Sequence, residues 1–202
     1  MANDAKKIRF APNGSLYIAP APTGGAGTTL PIAVGDGLTA PVGYKGLGYV
    51  DAGGVTLTPS IETQPVEAWQ SAVPILYNVT KASFSVKATL QETNEITTEL
   101  FWGAEWVPVM AGAVATGEYR LNLSSTPTLK EMSLVVDWNQ GAIRYRCVIP
   151  RAMISDRGAI QLTRTENGKY ELTIEALDFN GNLGYVLTND DILSEGVATL
   201  PG

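Results

Sequence analysis

Met132-Ser133-Leu134-Val135-Val136-Asp137-Trp138, a turn at Asn139-Gln140-Gly141, and then Ile143-Arg144-Tyr145-Arg146-Cys147-Val148-Ile149 is the stretch that decides the fold class. Alternate side chains of a strand point to opposite faces of its sheet. At that period Met132, Leu134, Val136 and Trp138 share one face, and Ile143, Tyr145, Cys147 and Ile149 continue it. Ser133, Val135, Asp137, Arg144 and Arg146 fall on the other face. After Pro150 the pattern predicts a further pair of strands, with Ile160 and Leu162 against Gln161 and Thr163. Asn167-Gly168 would fold that pair into Tyr170, Leu172, Ile174 and Ala176, with Glu171, Thr173 and Glu175 facing away. Asn-Gly between alternating apolar residues is a hairpin signal, because both tolerate the positive φ of a type I′ turn. Residues 129–177 therefore read as an antiparallel meander that is wet on one side.

Outward from this stretch the chain stays β-rich. Strand patterns recur at Val55, Leu57 and Pro59, and at Phe84, Val86, Ala88 and Leu90 with Ser83, Ser85, Lys87 and Thr89 opposite. Residues 60–80 hold Trp69, Val73, Ile75, Leu76 and Tyr77 without a clean period, as in a long hairpin or lip. One short helix is expected from a cap at Thr93 or Asn94 through Trp102, with Glu95 in its first turn, Ile96 and Leu100 on one face and Gly103 at its end. Residues 106–119 are apolar and Gly-rich, and Thr116-Gly117 is a turn candidate. Glycine and proline crowd residues 12–46, leaving short extended pieces such as 16–18 and a loop at 23–29. A segment this long and irregular is ordered by a partner chain or not at all. The organisation expected is an arm at 1–46 with a possible inter-subunit role, a β-domain at 47–187 and an extension at 188–202.

Composition narrows the function. The chain has 202 residues, 14 Lys and Arg against 20 Asp and Glu, a net charge of −6, no histidine and one cysteine. A domain this size can bury roughly 70% of its extended-chain surface. The scattered basic residues form no footprint for gripping phosphates. No apolar run is long enough to span a bilayer, and no apolar stretch follows Lys6, Lys7 and Arg9 as in a secretion signal. Cys147 has no disulfide partner in its own chain and sits at an apolar strand position, so it reads as a small packed hydrophobe.

Chemical constellations are weak throughout. Without histidine, Ser-His-Asp and Cys-His catalysis and histidine-ligated zinc are excluded. Glu92, Glu95 and Glu99 at helical spacing read as a solvated face. Asp178-Phe179-Asn180-Gly181-Asn182 begins like a calcium loop, but its twelfth position is Asn189 and not the closing Glu, so a turn explains it better. Gly24-Gly25-Ala26-Gly27 and Gly35-Asp36-Gly37 lack the strand and helix that frame a phosphate loop. Asn78-Val79-Thr80 fits a glycosylation acceptor only by chance. No catalytic, cofactor or metal residues are assigned. Arg144, Arg146, Arg151 and Arg157 fall close together in sequence, and on the wet face of strands they meet carboxylates of the same chain or a neighbour, which makes Arg144, Arg146 and Arg151 candidates for an inter-subunit ion pair.

The order of several pieces carries a resemblance. Gly46-Leu47-Gly48-Tyr49-Val50, Gly54-Val55, Glu67-Ala68-Trp69-Gln70, Glu92-Thr93-Asn94 before the short helix, Val135-Val136-Asp137-Trp138 and Val148-Ile149-Pro150-Arg151-Ala152 together resemble the major tail protein, or tail tube protein, of long-tailed bacteriophages of the actinobacterial phage type. The resemblance covers roughly residues 44–186. It implies a mainly β chain, an antiparallel β-sandwich or partial barrel with one short flanking α-helix and a long Gly/Pro-rich N-terminal arm. It also implies hexameric rings of self-associated copies stacked into a hollow tail tube in the virion, assembled in the host cytoplasm, with a tape-measure protein and a tail terminator as partners. DNA would pass through the tube into the host without specific binding, which suits an acidic chain. Trp69 is then a candidate for contact with a neighbouring ring, and Glu171 and Glu175 for a luminal or interfacial face. The competing readings are another ring component, such as a neck or terminator protein or a type VI secretion tube subunit, and an immunoglobulin-like binding module.

Overall fold

A computed structural model describes residues 4–22, 28–35, 38–126 and 129–194. The Gly24 to Gly27 cluster, Asp36, Gly37 and the end of the tail lie outside them. The chain divides into two units, one made of Met1–Val50, Glu131–Ala152 and Asp178–Gly202, the other of Asp51–Lys130 and Met153–Leu177.

The first unit is built on β1 (Asn13–Pro20), β2 (Lys45–Gly46), β7 (Met132–Gln140), the opening part of β8 (Ile143–Arg157) and β10 (Tyr185–Thr188), in the order β2-β1-β7-β8, with β10 antiparallel to β8 at residues 145–148. β1 lies antiparallel to β7 over its whole length, with Leu16 opposite Val136 and Tyr17 opposite Val135. This part of the expected arm is thus a strand held by its own chain. The turn between β7 and β8 is tight, Gln140 pairing with Ile143 across Gly141 at φ 63°.

β7 is not wet on one side. Ser133, Val135 and Asp137 are as buried as Leu134 and Val136, and Arg146 on β8 is buried beside them. Tyr17, Ala19, Val135 and Val148 form a cluster with Tyr44, and Leu30 and Tyr185 pack against it. Residues 28–47 supply that cover, which the alternation of β7 alone gives no reason to expect. On the opposite face Leu16, Leu134, Val136, Cys147 and Ile149 are buried. Burial pushes the Cys147 thiol up to about 11, as befits an inert packed side chain.

β8 also differs from the expected break after Pro150. Leu134 pairs with Ile149 but Met132 pairs with Ala152, so Pro150 and Arg151 together oppose Ser133. A bulge of this kind accepts a proline because the ladder there does not use its missing N–H. The strand runs on to Arg157, and residues 160–163 form no strand. Gly168 does not take the positive φ of a type I′ turn, so the Asn167-Gly168 hairpin is absent too. The genuine Asn-Gly turn lies later, at Asn180 (φ 54°) and Gly181 (φ 79°), bracketed by the Phe179–Asn182 bridge.

The second unit contains β3 (Val50–Val66), β4 (Leu76–Leu90), α1 (Glu95–Trp102), β5 (Trp106–Ala111), β6 (Val114–Leu121) and β9 (Tyr170–Ala176), with residues 153–157 of β8 beside β9 and the order β9-β4-β3 beyond. Val86, Ala88, Leu90, Leu172 and Ile174 fill its core. Asn94 caps α1, its side-chain oxygen accepting from Thr97 N–H at 2.8 Å, and Gly103 at φ 69° closes it by donating to Glu99 O at 2.8 Å. The buried face is Thr97, Thr98 and Phe101, not Ile96 and Leu100. Thr98 can be buried because its hydroxyl donates to Asn94 O and accepts from Trp106 Nε1. Phe101 meets Tyr170 edge-on at 5.4 Å. Residues 106–121 resolve into the β5–β6 hairpin, whose turn is Gly112-Ala113, while Thr116-Gly117 lies at a register shift opposite Val109.

Candidate functional site

The longest surface element is the β3–β4 hairpin. Near the body of its unit, β4 alternates as a half-buried strand should, with Phe84, Val86, Ala88 and Leu90 inward and Lys87 outward. Beyond residue 82 apolar side chains fall on both sides, exposed Leu76 keeping the inward parity. Ile75, Tyr77 and Val79 have the parity of the polar residues Ser83, Ser85 and Lys87, and all three are exposed. The distal strands are exposed on both faces, and Trp69 at the tip is 99% exposed.

Local hydrogen bonds make this arm a regular ribbon. Ile75 N–H donates to Val66 O at 2.9 Å, Thr80 Oγ1 to Glu62 O at 3.1 Å, and Ser71 Oγ to Val73 O at 2.7 Å in the tip. At 3.3 Å per residue, residues 58–66 carry the tip roughly 30 Å along the strand direction. An isolated two-stranded ribbon is only marginally stable in water. Aromatic and β-branched side chains on such a ribbon suit it to packing against another surface.

A second surface is the outward face of β4 and β9. Ser85 stands opposite Glu175, Lys87 opposite Thr173 and Thr89 opposite Glu171. Glu171 and Glu175 are half exposed, as their alternation predicts. Lys87 Nζ lies 2.5 Å from Glu171, and this bond holds the ammonium above its usual range. The face is polar with a carboxylate excess, and its one lysine is engaged.

The arginines, expected to meet carboxylates of the same chain or a neighbour, have partners within this chain. Arg146 Nε and Nη2 donate to the two Asp137 oxygens at 2.8 and 2.7 Å, and Nη1 donates to Ala33 O at 3.0 Å. Arg146 is thus buried and bonded within its own chain. Arg151 forks onto Glu131 at 2.7 and 2.9 Å, and its Nη1 donates to Asp178 O. This pairing holds the Glu131 carboxyl below its usual range. Arg144 donates to Gly35 O at 2.6 Å. The sequence did not single out Arg9, which grips Asp190 at 2.6 and 2.8 Å while Tyr145 OH donates to the same carboxylate. These bonds hold the Asp190 carboxyl well below the ordinary range. A separation of 181 residues hides this contact from any local motif. Asp190 is therefore buried, where the expected C-terminal extension would be a loose surface piece.

Among the described residues no group of three or more Cys, Asp or Glu could hold a metal ion, and no helix is long and apolar enough to cross a membrane.

Two of the solved structures to which the chain is similar come from gene transfer agent particles. One is the virion of a native gene transfer agent particle, at 11% identity, 75% of this chain and 92% of that chain covered, TM-score 0.40. The other is the tail of an empty gene transfer agent particle refined with C6 symmetry, at 11% identity, 68% and 84% covered, TM-score 0.38. No curated protein sequence matches it. The profile of the family described as phage tail tube protein matches residues 1–198, essentially the full length, so this chain belongs to the phage tail tube proteins and is a structural subunit of the virion tail.

Proposed function

We infer that copies of this chain close into six-membered rings, that the rings stack into a hollow tube, and that phage DNA passes along the bore into the host without specific binding. The observation that carries this reading is the β3–β4 arm. It is a ribbon with Ile75, Tyr77, Val79 and Trp69 exposed and no cover of its own. In a ring or a stack a second copy would cover it, and Trp69 is the residue placed to reach the next ring. The exposed edge of β3 supports the same reading, since an unpaired edge is a hazard in a monomer and a joining surface in an assembly. The β4–β9 face, with Glu171 and Glu175, is the better candidate for the bore. Carboxylates repel a polyanion, and Lys87 is tied to Glu171 and so is not free to hold phosphate. A tape-measure protein and a tail terminator complete the partners of this reading.

Negative-stain microscopy of the purified protein over a concentration series tests it. Rings that lengthen into tubes support it. Single rings that never lengthen assign the chain to a neck or terminator position, and uniform monomers at every concentration, with or without the other tail proteins, overturn it.

A further inference from the structure

Residues 31–35, 38 and 39 have no strand partner, yet they lie over a buried sheet face, where a main-chain carbonyl without a donor is costly. Side chains of the sheet supply the donors. Tyr185 OH donates to Pro31 O at 2.6 Å, Arg146 Nη1 to Ala33 O at 3.0 Å, Arg144 Nη1 to Gly35 O at 2.6 Å, Tyr17 OH to Leu38 O, and Arg146 Nη2 to Thr39 O at 3.3 Å. The donors come from β1, β8 and β10, and every acceptor is a backbone oxygen. Further along, Tyr44 OH and Ser133 Oγ are 2.7 Å apart, and β2 ties Lys45 and Gly46 to β1.

Arg146 is the centre of this arrangement, because it alone contacts the segment twice, and Asp137 fixes its orientation. The two residues face each other across β7 and β8, so both Asp137 oxygens are in line with Nε and Nη2, and the remaining N–H groups point toward the segment. Gly35, at φ 68°, passes directly over the guanidinium, and a Cβ there would lie 3.4 Å from both terminal nitrogens.

We propose that the Asp137–Arg146 pair is a latch, which holds residues 28–35 and 38–44 down as a strap and whose loss releases the strap as one piece while the sheet stays folded. Arg146 acts as a positioning residue for main chain, and what the strap covers is the apolar face of Tyr17, Ala19, Val135 and Val148. Release would therefore bare a hydrophobic sheet face without unfolding the unit. The inference is independent of the ring-and-tube reading.

The test is amide hydrogen exchange read by mass spectrometry on the full chain, with binding of a hydrophobic dye as a second readout. The double variant Asp137→Leu with Arg146→Met replaces the pair by apolar side chains of similar bulk, a change that keeps a fold intact in comparable cases. Amides of the strap should then exchange roughly tenfold faster or more, with residues 133–136 and 146–149 as protected as in the wild type and dye binding raised. Should the double variant not fold, Gly35→Ala, which leaves both charges in place but strains the strap over the guanidinium, is read in the same way. Strap protection equal to wild type overturns the proposal, and so does loss of protection in strap and sheet together, which would make the pair part of the sheet's own core.

Discussion

β7 and the distal β3–β4 arm carry the same kinds of residue to opposite ends. β7 has both faces buried, although one of them reads as polar in sequence, because the strap and β1 bring Tyr17, Tyr44 and Leu30 across it. The arm has both faces exposed, although Ile75, Tyr77 and Val79 would serve well in a core. Hydrophobicity alone therefore does not say where a strand is buried in this chain. The difference lies in whether the same chain provides a cover. Where it does, the contacts stabilise the subunit, and where it does not, they are available to another copy.

The comparison predicts an ordered set of mutational effects. Asp137→Ala should be the most damaging, since the Arg146 guanidinium either stays under the strap without its anion or is uncovered as the strap lifts and loses its contacts. A loss of about 3–5 kcal/mol in denaturant unfolding is expected, and a loss under 1 kcal/mol would mean that the strap face is wetter than described. Leu134→Ala, at a site fully buried on β7, should follow at about 2–5 kcal/mol from lost transfer energy and an unfilled cavity. Asn94→Ala should cost about 1 kcal/mol, as loss of a helix cap does, and circular dichroism during thermal melting would register it.

Acid sharpens the comparison within the first unit. The Arg9 and Tyr145 bonds depress the Asp190 carboxyl, so its contribution is complete above the ordinary carboxylate value and lost as pH falls toward the folded one. The gap in denaturation midpoint between wild type and Asp190→Asn should therefore be widest near about pH 6 and narrow toward about pH 3. Persistence of the full gap at the acid end would show that the contact does not depend on charge. Last comes the arm. Replacing Trp69, Tyr77 and Val79 together by Ser, Gln and Thr should change monomer stability by less than about 0.5 kcal/mol, as exposed positions do, yet abolish lengthening of the assembly seen by microscopy. A monomer destabilised by several kcal/mol would show that the arm is internal structure and not a docking element.

Much of the fold was legible because it is local. The strand at β7, the alternation in β9 and proximal β4, the Asn94 cap and the Gly103 stop each rest on residues a few positions apart, and the structure reproduces them. What misled was also local in form. Pro150 reads as a strand end, but a bulge opposite Ser133 absorbs it, and that depends on a register formed with residues about 18 positions away. Asn167-Gly168 reads as a hairpin turn, but β9 finds its partners in β8 and β4, leaving residues 160–163 outside the sheet. The intrachain partners of Arg146 at positions 33 and 39 were hidden for a related reason, since they are backbone oxygens, which leave no mark in a sequence. Trp69 and the arm were visible as a break in periodicity, and the appearance of apolar residues on both parities near Ile75 to Val79 is the signal that marks where core ends and exposed ribbon begins.

The seating of residues 31–35, 38 and 39 on carbonyl oxygens also bears on how the chain can vary. An oxygen of the main chain is the same whatever side chain it accompanies, so Ile32, which points outward and is 91% exposed, can be exchanged without altering how the segment is held. Gly35, by its positive φ, and the donors beneath are constrained. A surface built this way can diversify rapidly in its outward chemistry while its backbone path stays fixed.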